Sequence, residues 1–151
     1  MFFRRSKDKG GSEAPKRIAL QLDRADGVYA PGETMIVTAR WRSGVTVDYM
    51  ECAVEWSTEG KGDSNGDAVA EEIWDDLQSV HSVEWKVVLP RGPLSVQGQL
   101  LSIVWAVHCD AQIEGDRSEE TQEIQFTLSH GREPLVLNKV AENGANAKTG
   151  G

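Results

Sequence analysis

Between Val80 and Ile113 the chain alternates apolar and polar residues in two runs, separated by a segment rich in Pro and Gly. In the first run Val83, Trp85, Val87 and Leu89 share one face, and Ser82, Glu84 and Lys86 share the other. In the second, Leu101, Ile103, Trp105, Val107 and Cys109 share a face, and Ser102, Val104, Ala106, His108 and Asp110 form a mixed opposite face. A period of two marks half-buried β-strands. These two runs are the frame, and the rest of the chain is expected to supply their partners.

The same periodicity recurs on both sides of that frame. Ile18, Leu20 and Leu22 alternate with Ala19 and Gln21, and Asp26-Gly27 supplies turn chemistry after them. Pro31-Gly32 suits the centre of a type II turn, because Pro presets φ at the first position and Gly takes positive φ at the second. A strand over about 34–42 turns Met35, Val37, Ala39 and Trp41 inward, and one over about 47–58 turns Met50, Cys52, Val54 and Trp56 inward. A last strand over about 119–129 turns Ile124, Phe126 and Leu128 inward. The stretch from Glu59 to Asp67 reads as a loop on composition. Residues 68–79 fit a helix or a short strand near Glu71–Trp74, and the strand is preferred because Ile and Trp favour it. Arg91 to Ser95 reads as a crossing, since Pro lacks the amide donor of a central strand. Leu135-Val136-Leu137 reads as short and isolated.

Seven to eight short strands separated by turns predict an all-β fold, an antiparallel β-sandwich of immunoglobulin-like type. Trp41, Trp56, Trp85 and Trp105 lie on expected inward faces. Each can bury on the order of 200 Å², so they should dominate the core.

Two stretches resemble arrestin-like domains. Tyr29-x-Pro31-Gly32-Glu33 after the first strand looks like the "Y-x-P-G-E" entry of that family. Leu89-Pro90-x-x-Pro93-Leu94-Ser95-Val96-x-Gly98, followed by Ile103-x-Trp105, resembles its Pro-rich stretch, with Val96 where an aromatic is usual. The resemblance covers roughly residues 17–129 and is of the kind seen in small bacterial arrestin-related proteins. It implies an arrestin N-domain-like sandwich and a non-catalytic adaptor role. Arrestins pair two such sandwiches, whereas these 151 residues have length for one, and no Pro-Pro-x-Tyr motif occurs.

Composition adds boundaries. The expected organisation is a disordered basic leader over 1–16, the sandwich over 17–130 and a mostly disordered tail over 131–151. No window approaches the roughly 18 apolar residues of a membrane span. With Cys52 and Cys109 alone, a disulfide scaffold is not expected and a cytoplasmic location fits best, though the pair could still be close together. The net charge of −8 is uneven: residues 1–17 carry a net +4 and residues 18–130 a net −13. An acidic body argues against nucleic acid as partner. Phe2, Phe3, Arg4 and Arg5 form a candidate for weak peripheral membrane contact.

Tests for chemistry return little. Asp63-x-Asn65-x-Asp67 suggests calcium, but the EF-hand register puts Ala68 where Gly is needed and Trp74 where Glu is needed. Gly60-Lys61-Gly62 lacks the spacing of a Walker loop. His108 and Asp110 face away from Cys109, so His108 cannot activate it; His81 could approach from a neighbouring strand, but Cys109 reads as a small core hydrophobe. Neither Gly-x-Ser-x-Gly nor Cys-x2-Cys occurs, and the scattered histidines give no zinc pattern. No enzyme activity, cofactor or metal is therefore expected. The favoured reading is an adaptor that binds a protein partner, with homodimerisation open through sheet edges. The residues expected to meet that partner are Glu59, Lys61, Asp63, Asp67, Glu71 and Glu72, from the acidic loop 59–76, and Arg4 and Arg5. The alternative is a ligand- or cation-binding sandwich that uses the same loop.

Overall fold

A computed structural model describes residues 16–60, 65–115, 119–131 and, for the backbone only, 135–136. Among the described residues there are ten strands and no helix. In chain order they are β1 (Ile18–Leu22), β2 (Val28–Tyr29), β3 (Thr34–Trp41), β4 (Val47–Gly60), β5 (Gly66–Asp75), β6 (Ser82–Val88), β7 (Val96–Gln97), β8 (Leu101–Ile113), β9 (Glu119–Leu128) and β10 (Leu135–Val136). The small sheet has the order β1-β3-β6 and is antiparallel. In the large sheet β5, β4 and β8 lie side by side. The far edge of β8 is shared: Ile103 pairs with β7, and Trp105 to Gln112 pair with β9. The two-residue strands β2 and β10 add in parallel to β9 and β7.

Period-two alternation turns the expected residues inward. Met35, Val37, Ala39 and Trp41 of the small sheet join Met50, Cys52, Val54, Trp105 and Val107 of the large sheet in one buried cluster. Trp56, Trp74 and Trp85 pack against that cluster, and the rings of Trp74 and Trp85 meet edge to face at 6.2 Å. All five tryptophans thus serve the core, one more than the inward-face pattern assigned. Glu120 at the start of β9 ties the sheets together by accepting bonds from the Arg17 and Ile18 amides at 2.9 and 3.0 Å.

Four expectations need correction. First, within the acidic segment 59–76, residues 59–60 and 66–75 are strand rather than loop. Glu59 belongs to β4, and Asp67, Glu71 and Glu72 belong to β5. A hairpin carries their backbone pairing, so acidic side chains can sit on a strand whose outer edge faces solvent. Second, β6 and β8 lie in different sheets, so His81 is not beside Cys109. Third, Cys52 and Cys109 sit directly opposite each other on β4 and β8, with Cα atoms 4.1 Å apart, and are joined as a disulfide. The bonded pair removes the argument from cysteine usage for a reducing compartment. Fourth, the Leu135–Val136 segment pairs with β7 rather than standing alone. The leader and most of the tail lie outside the described residues.

Candidate functional site

The residues that carry the family resemblance form a clamp at one end of the fold. Ala30 to Glu33 close a turn, with the Glu33 amide 3.1 Å from the Ala30 carbonyl and Gly32 at φ +86°, the positive value a type II turn requires. Tyr29 is buried, and its hydroxyl donates to Asp23 Oδ1 at 2.7 Å while accepting from the Arg24 amide at 3.2 Å. The same Asp23 oxygen accepts from the Ile36 amide at 3.0 Å. Glu33 Oε1 accepts from the Ala30 amide and from Arg24 Nη1, at 2.8 and 2.9 Å.

This wiring shifts the titrations. Burial opposes the charge on Asp23, but the bonds from Tyr29 and Ile36 outweigh it and hold its carboxyl below the usual range. Arg24, followed by the Ala30 amide, draws the Glu33 carboxyl down as well. Burial first, and then Asp23, push the Tyr29 phenol far above its ordinary value.

The Pro-rich stretch is used in the same way. The Pro93 carbonyl, after a cis Gly92–Pro93 bond, accepts from the buried Trp105 indole at 2.7 Å. Ser95 donates its amide to the Leu128 carbonyl, and its hydroxyl accepts the Leu128 amide at 2.9 Å. These motif residues join loops to strands and present no chemistry outward.

The outer face of the large sheet differs. With Cys52 and Cys109 pointing in, alternation places Ala53 and His108 outward, directly opposite each other. Glu123 of β9 lies opposite His108 on its other side, and Glu55 of β4 lies opposite Ala106. Ala53 and Ala106 are small, so Glu55 and Glu123 can lean toward the imidazole. Ligand atoms of Glu55, His108 and Glu123 all fall within 4.8 Å of one another. His108 is only 3% exposed, Glu55 is half-buried and Glu123 is exposed. Asp110, two residues along, approaches His108 Nε2 at 3.6 Å and accepts from the Thr121 hydroxyl at 2.6 Å. The pairing of β4 with β5 slips between Val54 and Glu55, with Val69 as the extra residue. Such bulges re-aim neighbouring side chains and are common beside functional sites.

Sequence reading put His108 and Asp110 on one face but missed Glu55 and Glu123. They lie 53 and 15 positions from His108, on two other strands. Pairing the two cysteines across neighbouring strands would have found Glu55, because 52 opposite 109 sets 55 opposite 106.

The expected partner-binding residues divide. Glu59, Asp67, Glu71 and Glu72 are all exposed; Glu71 sits opposite Ala53, next to the His108 row, and Glu72 sits opposite Cys52. The Asn65 backbone amide donates to the Thr58 hydroxyl at 2.8 Å. Lys61, Asp63, Arg4, Arg5, Phe2 and Phe3 lie outside the described residues, and with Asp63 the calcium alternative Asp63-Asn65-Asp67 falls partly outside them. Gly60 at φ +148° passes so close to Leu100 that a Cβ would strike its carbonyl oxygen, which explains this glycine as packing rather than phosphate binding.

No known family's sequence profile matches the chain, and no curated protein matches it. Solved structures do. The chain is similar in fold to Spo0M, a sporulation control protein from Bacillus subtilis, with a TM-score of 0.54 and 14% identity over 76% of this chain. It spans about half of Spo0M, 49% of that chain. This likeness supports the arrestin-like fold that the motifs implied. A superoxide reductase (neelaredoxin) from Ignicoccus hospitalis matches with a TM-score of 0.45 and 5% identity over 76% of this chain and 81% of its own, too distant to inform on function.

Proposed function

We infer that the chain is a non-enzymatic interaction module, an immunoglobulin-like sandwich of the arrestin type, that takes an extended basic segment of a partner protein along the free edge of β5. The observation that carries this reading is the character of β5. Among the described residues it pairs with β4 alone, which leaves its other edge as the free edge of the sheet. Long edges are usually guarded by charged residues, Pro or bulges. Gly66–Asp75 carries four acidic residues and the bulge at Val69 but no Lys or Pro, so what guards it is negative charge that a basic segment would neutralise. Ile73 is 52% and Val69 39% exposed, beside Asp67, Glu71, Glu72 and Asp75. A strand added there would gain main-chain hydrogen bonds, apolar contacts at alternate positions and charge complementarity.

Other features agree with a binding role. Cys52 and Cys109 are bonded to each other, so neither offers a thiol nucleophile in this structure. Spo0M is described as a control protein, and an adaptor of the same fold suits such a task. Selection of displayed random peptides against the full chain, followed by amide hydrogen exchange with the best binder, tests the reading. Selected segments should be rich in Lys and Arg with alternating apolar residues. They should protect β5 amides, and the double variant Glu71→Lys, Glu72→Lys should weaken them about tenfold or more. Protection of another strand, or self-association of the chain through β5 in place of peptide binding, would overturn it.

A further inference from the structure

The geometry points to a divalent transition-metal site on the outer face of the large sheet, held by the His108 imidazole and the Glu55 and Glu123 carboxylates. Three adjacent strands each contribute one donor, and their register fixes the arrangement. His108 and Glu123 are cross-strand partners on β8 and β9, and Glu55 stands diagonally across from His108 on β4. The three ligand atoms lie within 4.8 Å of one another. Donors bound at about 2.0–2.2 Å to a tetrahedral ion stand roughly 3.4 Å apart. Closing the set therefore takes side-chain adjustment of about an ångström, which the flexible Glu123 can supply from its exposed position.

Two features separate this group from ordinary surface acids. The first is that the imidazole is buried although it lies on the face turned away from the core, at 3% exposure. A cluster of solvated carboxylates does not need a buried histidine at its centre. The second is the surrounding charge: Asp110 approaches the same ring, and Glu51 and Glu71 belong to the same face. Carboxylates crowded around one imidazole repel one another, and a dication relieves that repulsion. The donor set selects the ion. One nitrogen with two carboxylates suits zinc, manganese or iron(II), whereas calcium and magnesium prefer all-oxygen shells.

The test uses the full chain, stripped with a chelator and titrated with Zn2+, Co2+ or Ca2+ alone. Calorimetry should give one Zn2+ per chain, Co2+ should give visible absorption bands, and Ca2+ should bind at least about 100-fold more weakly. Glu123→Gln and Glu55→Gln should each weaken Zn2+ by about tenfold or more. Glu123 is exposed, so its variant should melt as the parent does and any loss of ion is then local. In histidine-selective NMR, Zn2+ should move the His108 ring signals and leave those of His81 and His130 in place. Absence of stoichiometric binding would overturn the proposal. So would Zn2+ binding unchanged by both glutamine variants, or a response confined to His81 or His130.

Discussion

The clamp around Tyr29 and the outer face of the large sheet both gather polar residues, but they use them in opposite ways. In the clamp, Asp23, Arg24, Tyr29 and Glu33 close on one another and on backbone amides, mostly at 2.7–3.2 Å. Only Tyr29 is buried there, and its burial is favourable because its hydroxyl finds both its hydrogen-bond partners within the clamp. On the sheet face, Glu55 and Glu123 converge on an imidazole rather than on backbone donors. Polar groups spent on the fold make a motif that can be recognised. Polar groups gathered on a face make a site, which needs no local motif at all.

Substitutions in the clamp should therefore cost stability and leave binding unchanged, and substitutions on the sheet face should do the reverse. The largest effect is expected from Trp105→Ala. It removes the largest fully buried side chain among the described residues and leaves the Pro93 carbonyl without its indole donor. A loss of about 3–5 kcal/mol is expected in urea denaturation. Trp105→Phe keeps most of the apolar volume and should lose markedly less. Near-equal losses would mean that the hydrogen bond to Pro93, rather than the ring, holds this end together.

Tyr29→Phe comes next. It removes one hydroxyl, so Asp23 loses a donor and the Arg24 amide loses its acceptor. About 1–3 kcal/mol should be lost, the cost of leaving partly buried partners unsatisfied. Zn2+ affinity and peptide binding should stay within twofold of the parent (~0.4 kcal/mol). A larger change in either would show that the two regions are coupled.

These contrasts account for what the sequence makes legible. Period-two alternation marks Met35, Val37, Ala39 and Trp41 as core because the sheet has one wet and one dry face. Pro31-Gly32 announces its turn because few other pairs adopt those dihedrals. The segment from Glu71 to Trp74 reads correctly as strand, but the extension back to Gly66 does not, since Gly, Asp and Ala are poor strand formers and here owe their pairing to β4. The metal-ligand candidates are hidden for a different reason. Register between distant strands sets their geometry, and alternation within one strand says nothing about which strand lies beside it. The option of an approach by His81 to Cys109 fails on that point, because β6 and β8 are not neighbours.

A smaller effect is expected from acid. The carboxyls of Asp23 and Glu33 are held below their ordinary values, chiefly by bonds from Tyr29 and Ile36 for Asp23 and from Arg24 for Glu33. A depressed folded-state pKa contributes stability that is complete above the unfolded value of about 4 and is lost as pH falls through the folded one. Melting temperature should therefore fall below about pH 4, and it should fall less steeply in Asp23→Asn than in the parent. At the alkaline end the sign reverses. The raised Tyr29 phenol contributes stability that is complete below its unfolded value near 10 and is lost only as pH climbs through the folded one. An equal acid slope in the parent and in Asp23→Asn would move the acid-sensitive groups out of the clamp.

The smallest change in stability is expected from Ile73→Lys, and it is the most decisive for the comparison. Ile73 is 52% exposed on the last strand of the large sheet, opposite Glu51. It contributes little to the core, so its replacement should shift stability by no more than about 0.5 kcal/mol. Placing Lys across from Glu51 could even add a fraction of a kilocalorie through an opposite-charge cross-strand pair. The added cation should nonetheless repel a basic segment at the β5 edge and remove an apolar contact from it, so peptide protection of β5 amides should be lost. A fall in stability approaching that of Tyr29→Phe would place Ile73 with the clamp, as a residue spent on the fold. The exposed edge would then lose its standing as a docking strand. Unchanged stability with lost protection would leave β5 and the neighbouring outer face as the part of the molecule free to bind.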